Sequence, residues 1–134
     1  KTRTFGLVGS LDYAVRGGRL PGSVKAVADF LRLMPVLTSR PDGKVAAGGF
    51  LFGRSGLRQK FARFVLHRLD PNRPYRVAVG HANAEAEGAA LLETLLEQLP
   101  RVERSYLLPL GSALGVHGGP GMLVVAAQEY VPPG

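Results

Sequence analysis

The sequence contains no cysteine among its 134 residues. This absence excludes disulfides, thiolate metal ligands and a cysteine nucleophile, and it fits a reducing compartment. No apolar run is long enough to cross a bilayer, and no signal peptide is visible. We therefore expect a cytoplasmic protein. The sequence begins with Lys1 in place of methionine, which favours a processed chain or the later part of a longer protein.

Acidic residues are scarce in the first part of the chain. Residues 1–76 hold 15 Lys or Arg against 4 Asp or Glu, whereas residues 77–134 hold 2 against 6, and the formal net charge is +7. Such a basic excess suits nucleic acid, an anionic membrane surface or an acidic partner protein. A solvated, arginine-rich surface explains it equally well. With 46% apolar and 20% charged residues, the sequence predicts one globular domain over residues 1–134.

The sequence also lacks the common signatures of catalysis. Residues 42–45, DGKV, miss the upstream glycine and the hydroxyl residue of a phosphate-binding loop, and no GxSxG motif occurs. His81 and Glu85 lie four residues apart but straddle a strand end and a helix start, so we interpret them as structural. His67 is expected on a solvated helix face. We expect no metal, no cofactor and no catalytic residue.

Alternation, helical spacing and turn residues predict six strands and four helices. The strands are predicted at residues 4–8, 34–38, 44–49, 76–82, 102–109 and 122–128. The helices are predicted at residues 11–16, 23–33, 55–69 and 84–99. Residues 40–43, RPDG, predict a tight turn between two strands of a hairpin. The fold class is therefore α/β (α+β), with a single mixed sheet of about six strands covered by helices.

The two longer helices have apolar positions at helical spacing. In the first, the predicted buried residues are Leu57, Phe61, Phe64 and Val65. In the second, Asn83 is the predicted cap, and the predicted core residues are Leu92, Leu95, Leu96 and Leu99. Because Phe61 and Phe64 are expected in the core, the aromatic stacking typical of nucleic-acid sites is weak here.

Two glycine-rich stretches stand out. Residues 115–121, GVHGGPG, place His117 among glycines whose backbone N–H groups suit an anion, although a plain loop between strands fits the same pattern. Residues 16–22, RGGRLPG, place Arg16 and Arg19 beside two glycines. A guanidinium suits carboxylates and phosphates, although a helix end followed by a turn is the simpler interpretation.

Taken together, four stretches resemble the second half of proteins of the DegV family. They are GSLDYAVRGGRLPG, LRLMPVLTSRPDGKV, YRVAVGHANAEAEGAALLETL and GVHGGPG, in this order and over nearly the whole chain. Many members carry Thr, Ser or Ala after the motif histidine, where this chain has Gly118. The N-terminal domain of the family, whose Ser and Thr residues help to hold a carboxylate, is missing here.

The resemblance implies a function in bacterial phospholipid metabolism. DegV-like proteins bind one long-chain fatty acid between two domains and present its carboxylate to a separate ATP-dependent fatty acid kinase subunit. The expected partners are therefore the fatty acid, that kinase and the missing N-terminal domain, with no nucleic acid. The ligand carboxylate is assigned to His117, Gly118, Gly119, Arg16 and Arg19. The acyl-chain lining is assigned to Leu20, Val24, Val27 and Leu31.

Two alternatives remain open from the sequence. The basic first part favours a module that binds nucleic acid or a membrane surface. A C-terminal fragment of a kinase–DegV fusion would also fit, because the kinase subunit has a distantly similar fold. An apolar half-pocket open to water favours a homo-oligomer of the fragment.

Overall fold

The computed structural model describes residues 2–8, 33–40, 42, 45–53, 55–111 and 121–130. Within these residues the chain forms six strands and two helices. The strands are β1 Thr2–Leu7, β2 Leu33–Ser39, β3 Val45–Phe52, β4 Tyr75–His81, β5 Val102–Pro109 and β6 Leu123–Glu129. The helices are α1 Leu57–Leu66 and α2 Glu85–Gln98.

The six strands form one mixed sheet in the order β3-β2-β1-β6-β4-β5. All neighbours pair antiparallel except β4 and β5, which are parallel and are joined through α2. Parallel neighbours need a long crossover, and α2 provides it between these two strands. The single mixed sheet of about six strands covered by helices is confirmed.

The β2–β3 hairpin is also confirmed, and it contains one irregularity. Val36 pairs with Gly49 and Leu37 pairs with Ala47, so Gly48 is an extra residue on β3. A Cβ atom at Gly48 would lie 2.4 Å from Thr38 Cγ2. Glycine is therefore required at this bulge by the close approach of the neighbouring strand.

The core lies between the sheet and the two helices. Phe61, Phe64 and Val65 of α1 are buried as predicted, whereas Leu57 is half-buried. Phe64 meets Phe5 of β1 edge to face, with ring centroids 6.3 Å apart, which is a favoured geometry for aromatic pairs. This contact fixes α1 against the middle of the sheet.

Three details of the predicted helices are wrong. The first long helix is shorter than residues 55–69 and covers only Leu57–Leu66. In the second long helix, Leu95 and Leu99 are buried as predicted, but Leu96 is 38% exposed and Leu91, which was not predicted, is fully buried. Leu33 belongs to β2 and not to a helix. The predicted helices at residues 11–16 and 23–32 lie outside the described residues.

Asn83 does not cap α2. The cap residue is Ala84, which has no side-chain cap, and Asn83 takes a left-handed backbone with φ 52°. Asparagine tolerates this region, so it serves the turn before the helix. Instead, the backbone N–H of Ala84 donates to His81 Nδ1 at 3.2 Å.

Candidate functional site

The strands that flank both stretches singled out by the sequence end or begin at one edge of the sheet. At this edge β1 ends beside the start of β6, with Leu7 opposite Leu123, and β4 ends there with His81 opposite both Leu123 and Pro109. We call it the site edge. Residues 9–32, which include RGGRLPG, connect β1 to β2 at this edge. Residues 112–120, which include most of GVHGGPG, connect β5 to β6 there.

The predicted ligand residues themselves are not described. His117, Gly118 and Gly119 fall in residues 112–120, and Arg16, Arg19 and the acyl-lining set Leu20, Val24, Val27 and Leu31 fall in residues 9–32. All nine lie outside the described residues. Their assignment to a carboxylate and an acyl chain therefore stays a prediction.

Gly121 is the one residue of GVHGGPG that the structure describes. It has φ 90°, a conformation that glycine adopts without strain. Its N–H donates to the carbonyl of Ala82 at 2.8 Å, and the N–H of Ala82 donates to the carbonyl of Met122 at 2.9 Å. These bonds extend the β4–β6 pairing past the strand ends, so Gly121 is held beside the start of α2.

A pocket of about 240 Å³ lies at the site edge, between the sheet and the beginnings of both helices. Its lining is mainly aliphatic and includes residues from β1, β2, β6, α1 and the start of α2. The lining residues are Leu7, Val8, Met34, Leu57, Arg58, Ala84, Glu87, Gly121 and Leu123. Val8 and Gly121 are the described residues next to the two undescribed segments. The pocket is therefore lined by the residue that precedes residues 9–32 and by the residue that follows residues 112–120.

Two charged residues line this otherwise apolar pocket. Arg58 Nη1 of α1 donates to Glu87 Oε2 of α2 at 2.7 Å, with the side chains 28% and 57% exposed. Arg58 Nε is buried and has no hydrogen-bond partner in the described part of the chain. Sequence reasoning missed both residues, because 29 positions separate them and neither belongs to a motif. The pattern offered one signal, an acidic residue in the first turn of a helix.

His81 has a structural role at the same edge. Its imidazole is buried, and Nδ1 accepts from the Ala84 N–H at 3.2 Å. A Cβ at Gly88 would lie 3.3 Å from His81 Cβ, which shows how closely the first turn of α2 approaches this side chain. His81 therefore helps to start α2.

Within the described residues, no group of three or more His, Asp or Glu side chains is arranged to hold a metal ion. The same residues contain no helix with the length and apolar character needed to cross a membrane. His67 is exposed as predicted, although it follows α1 and does not lie on the helix itself. The site edge offers an apolar pocket lined by one Arg–Glu pair, which suits an amphiphilic ligand more than a polar metabolite.

Comparison with known proteins gives a consistent match. The model of a family described as uncharacterised DegV-family proteins matches residues 1–129. A DegV domain-containing protein of Clostridium perfringens is 31% identical over 130 residues, which cover 97% of this chain and 46% of that protein. The chain thus spans just under half the length of this relative.

Solved structures support the same fold. A DegV-family protein from Thermus thermophilus, described as binding fatty acid, has a TM-score of 0.79 at 26% identity, covering 97% of this chain and 46% of that one. A stearic-acid-binding protein from Eubacterium ventriosum has a TM-score of 0.75 at 26% identity, covering 96% and 44%. Both neighbours are therefore about twice as long as this chain.

Proposed function

The chain belongs to the DegV family, and on that premise we propose that it contributes half of a binding site for one long-chain fatty acid. The observation that carries this proposal is the apolar pocket at the site edge, which is lined by Val8 and Gly121, the described residues next to the two motif-bearing segments. The Thermus and Eubacterium neighbours, which are described as binding fatty acid and stearic acid, support the same ligand class.

The size of the pocket supports a shared site. Pockets that hold a whole small molecule have volumes of about 300–1,000 Å³, whereas this one has about 240 Å³. It would hold part of a long acyl chain, and Leu20, Val24, Val27 and Leu31 would cover more of it. Each buried methylene contributes about 0.8 kcal/mol, so the tail supplies most of the affinity.

The polar end of the acid would be held by the glycine-rich segments. His117 and the backbone N–H groups of Gly118 and Gly119 donate to the carboxylate, together with Arg16 or Arg19. His117 precedes Gly121 by four residues in the sequence, and Gly121 lines the pocket. A hydrogen bond to a charged group contributes about 1.5–3 kcal/mol, so this set decides which end of the ligand is presented.

We further propose that the full-length protein acts in the cytoplasm by presenting the carboxylate to an ATP-dependent fatty acid kinase. The kinase carries out the phosphoryl transfer, and the DegV protein binds and orients the substrate. This assignment of the two roles agrees with the sequence, in which neither a phosphate-binding loop nor a GxSxG motif occurs. The remaining half of the site would come from the N-terminal domain of the family.

Native mass spectrometry of the full-length protein, purified from bacterial cells, tests the proposal. We expect one long-chain fatty acid to co-purify, and we expect added kinase and ATP to convert it to the acyl phosphate. His117→Gln should lower turnover by about tenfold or more, whereas the exposed control His67→Gln should leave it unchanged. Absence of any bound or bindable acid would contradict the lipid proposal, and unchanged turnover in His117→Gln would remove the role of His117.

A further inference from the structure

Arg58 has donor capacity that the fold does not use. Nη1 donates to Glu87 Oε2 at 2.7 Å. When the side-chain amide of Gln59 is oriented so that its nitrogen and its oxygen both have hydrogen-bond partners, the oxygen accepts from Arg58 Nη2 at 3.2 Å. Nε remains buried without a partner in the described chain. A buried unpaired donor is unfavourable, and native structures rarely retain one without a functional or local reason.

The position of this arginine points to a ligand. Arg58 lines the aliphatic pocket together with Leu7, Leu57 and Leu123. A guanidinium binds a carboxylate best through two parallel N–H groups, and the described contact with Glu87 uses only one nitrogen, Nη1. A carboxylate that approached from the pocket would gain a partly desolvated cation where water competes weakly.

We propose that Arg58 recognises the carboxylate of the bound acid and that Glu87 competes with the ligand for the same guanidinium. This inference rests on the proposed function and adds a specificity residue on α1 to it. A carboxylate has about four acceptor sites, so it can accept from Arg58 and from further donors at once. Glu87 holds Nη1 of Arg58 beside the pocket and weakens acid binding by offering a rival carboxylate.

A purely structural ion pair between α1 and α2 is the competing explanation. Exposed pairs contribute little to stability, and Glu87 is more than half exposed. The two explanations predict different changes in the affinity for the acid. If the ion pair is purely structural, removing Arg58 or Glu87 should change this affinity in the same direction, because the same bond is lost. Ligand recognition predicts opposite effects, because removing Glu87 frees Arg58 for the acid.

The test measures dissociation constants of the full-length protein for stearic acid and for octadecan-1-ol, which lacks the carboxylate. We expect Arg58→Gln to weaken stearic acid binding by about tenfold or more, as for the loss of a hydrogen bond to a charged group. Octadecan-1-ol binding should change little. Glu87→Gln should strengthen stearic acid binding several-fold. The control Arg63→Gln, an exposed arginine on the same helix, should affect neither ligand.

Three outcomes would overturn the assignment. Arg58→Gln and Glu87→Gln could shift stearic acid binding in the same direction, or Arg58→Gln could weaken acid and alcohol equally or change neither. Wild-type protein that binds neither ligand would instead overturn the proposed function itself. If Arg58→Gln fails to fold, Glu87→Gln still decides the matter, because weaker or unchanged acid binding in that variant contradicts the competition.

Discussion

Gly49 lies against the ring of Phe64, where no side chain fits. A Cβ atom at this position would lie 2.4 Å from Phe64 Cε2. The ring is held on another side by Phe5 and by Arg68, whose guanidinium carbon lies 3.4 Å from the ring centroid. Because Phe64 is buried and flanked in this way, it has little room to move aside.

We therefore expect Gly49→Ala to destabilise the protein by about 1–3 kcal/mol, the usual cost of overpacking a core. The matched control is Gly111→Ala, because no atom of the described residues lies within 4 Å of a Cβ at Gly111. That variant should stay within about 0.5 kcal/mol of the wild type. Urea unfolding would measure both. Equal midpoints for the two variants would show that Phe64 yields at no cost.

At the start of α2, residue type alone predicts the wrong capping residue. Asparagine is a good helix cap, so the sequence favoured Asn83. The chain instead uses the tolerance of asparagine for positive φ, and His81 Nδ1 accepts from the N–H of Ala84 just before the helix. Pattern rules do not anticipate this contact, because it depends on where the preceding strand ends.

At the scale of elements, α2 shows why a helix could be predicted while its buried face could not. Leucines occupy positions 91, 92, 95, 96 and 99, which form two overlapping stripes at helical spacing. The helix is rotated so that Gly88 faces His81 and Leu107, and this rotation buries Leu91 and Leu95. Because Gly88 has no side chain, the helix can approach the sheet closely on this side. The leucines on the same side, Leu91 and Leu95, are therefore the ones that are buried.

This rotation makes a paired prediction. Leu91→Ala should cost about 2–5 kcal/mol of unfolding free energy, because it leaves a cavity in the core. Leu96→Ala, at a position 38% exposed, should cost less than about 1 kcal/mol. Chemical denaturation with an unchanged m-value measures both costs. Comparable losses in the two variants would contradict this orientation of the helix.

At the scale of the whole molecule, the aliphatic pocket and the excess of basic residues favour different classes of ligand. The sequence carries +7 overall, with its basic residues concentrated before residue 77. The pocket at the site edge is mainly aliphatic. A fatty acid held in it should bind by its tail, whereas nucleic acid would bind by counterion release.

We expect the full-length protein to bind palmitic acid about 15-fold more weakly than stearic acid, because two fewer methylenes remove about 1.6 kcal/mol of burial. Raising salt from about 50 to 200 mM should change the affinity by less than about threefold, against about 10³–10⁵ for multi-phosphate binding. Isothermal titration measures both effects. Binding that ignores chain length and falls steeply with salt would favour the basic-surface alternative.

The sequence by itself determined the six strands, the β2–β3 hairpin and the family. Periodicity, turn residues and motif order are local properties, and they persist wherever the chain packs. Only the tertiary structure decided which leucines of α2 are buried, why Gly48 and Gly49 are glycines, and that Arg58 meets Glu87 beside an aliphatic pocket. Each of these depends on elements far apart in the chain, whose rotation and approach are set by contact and not by spacing.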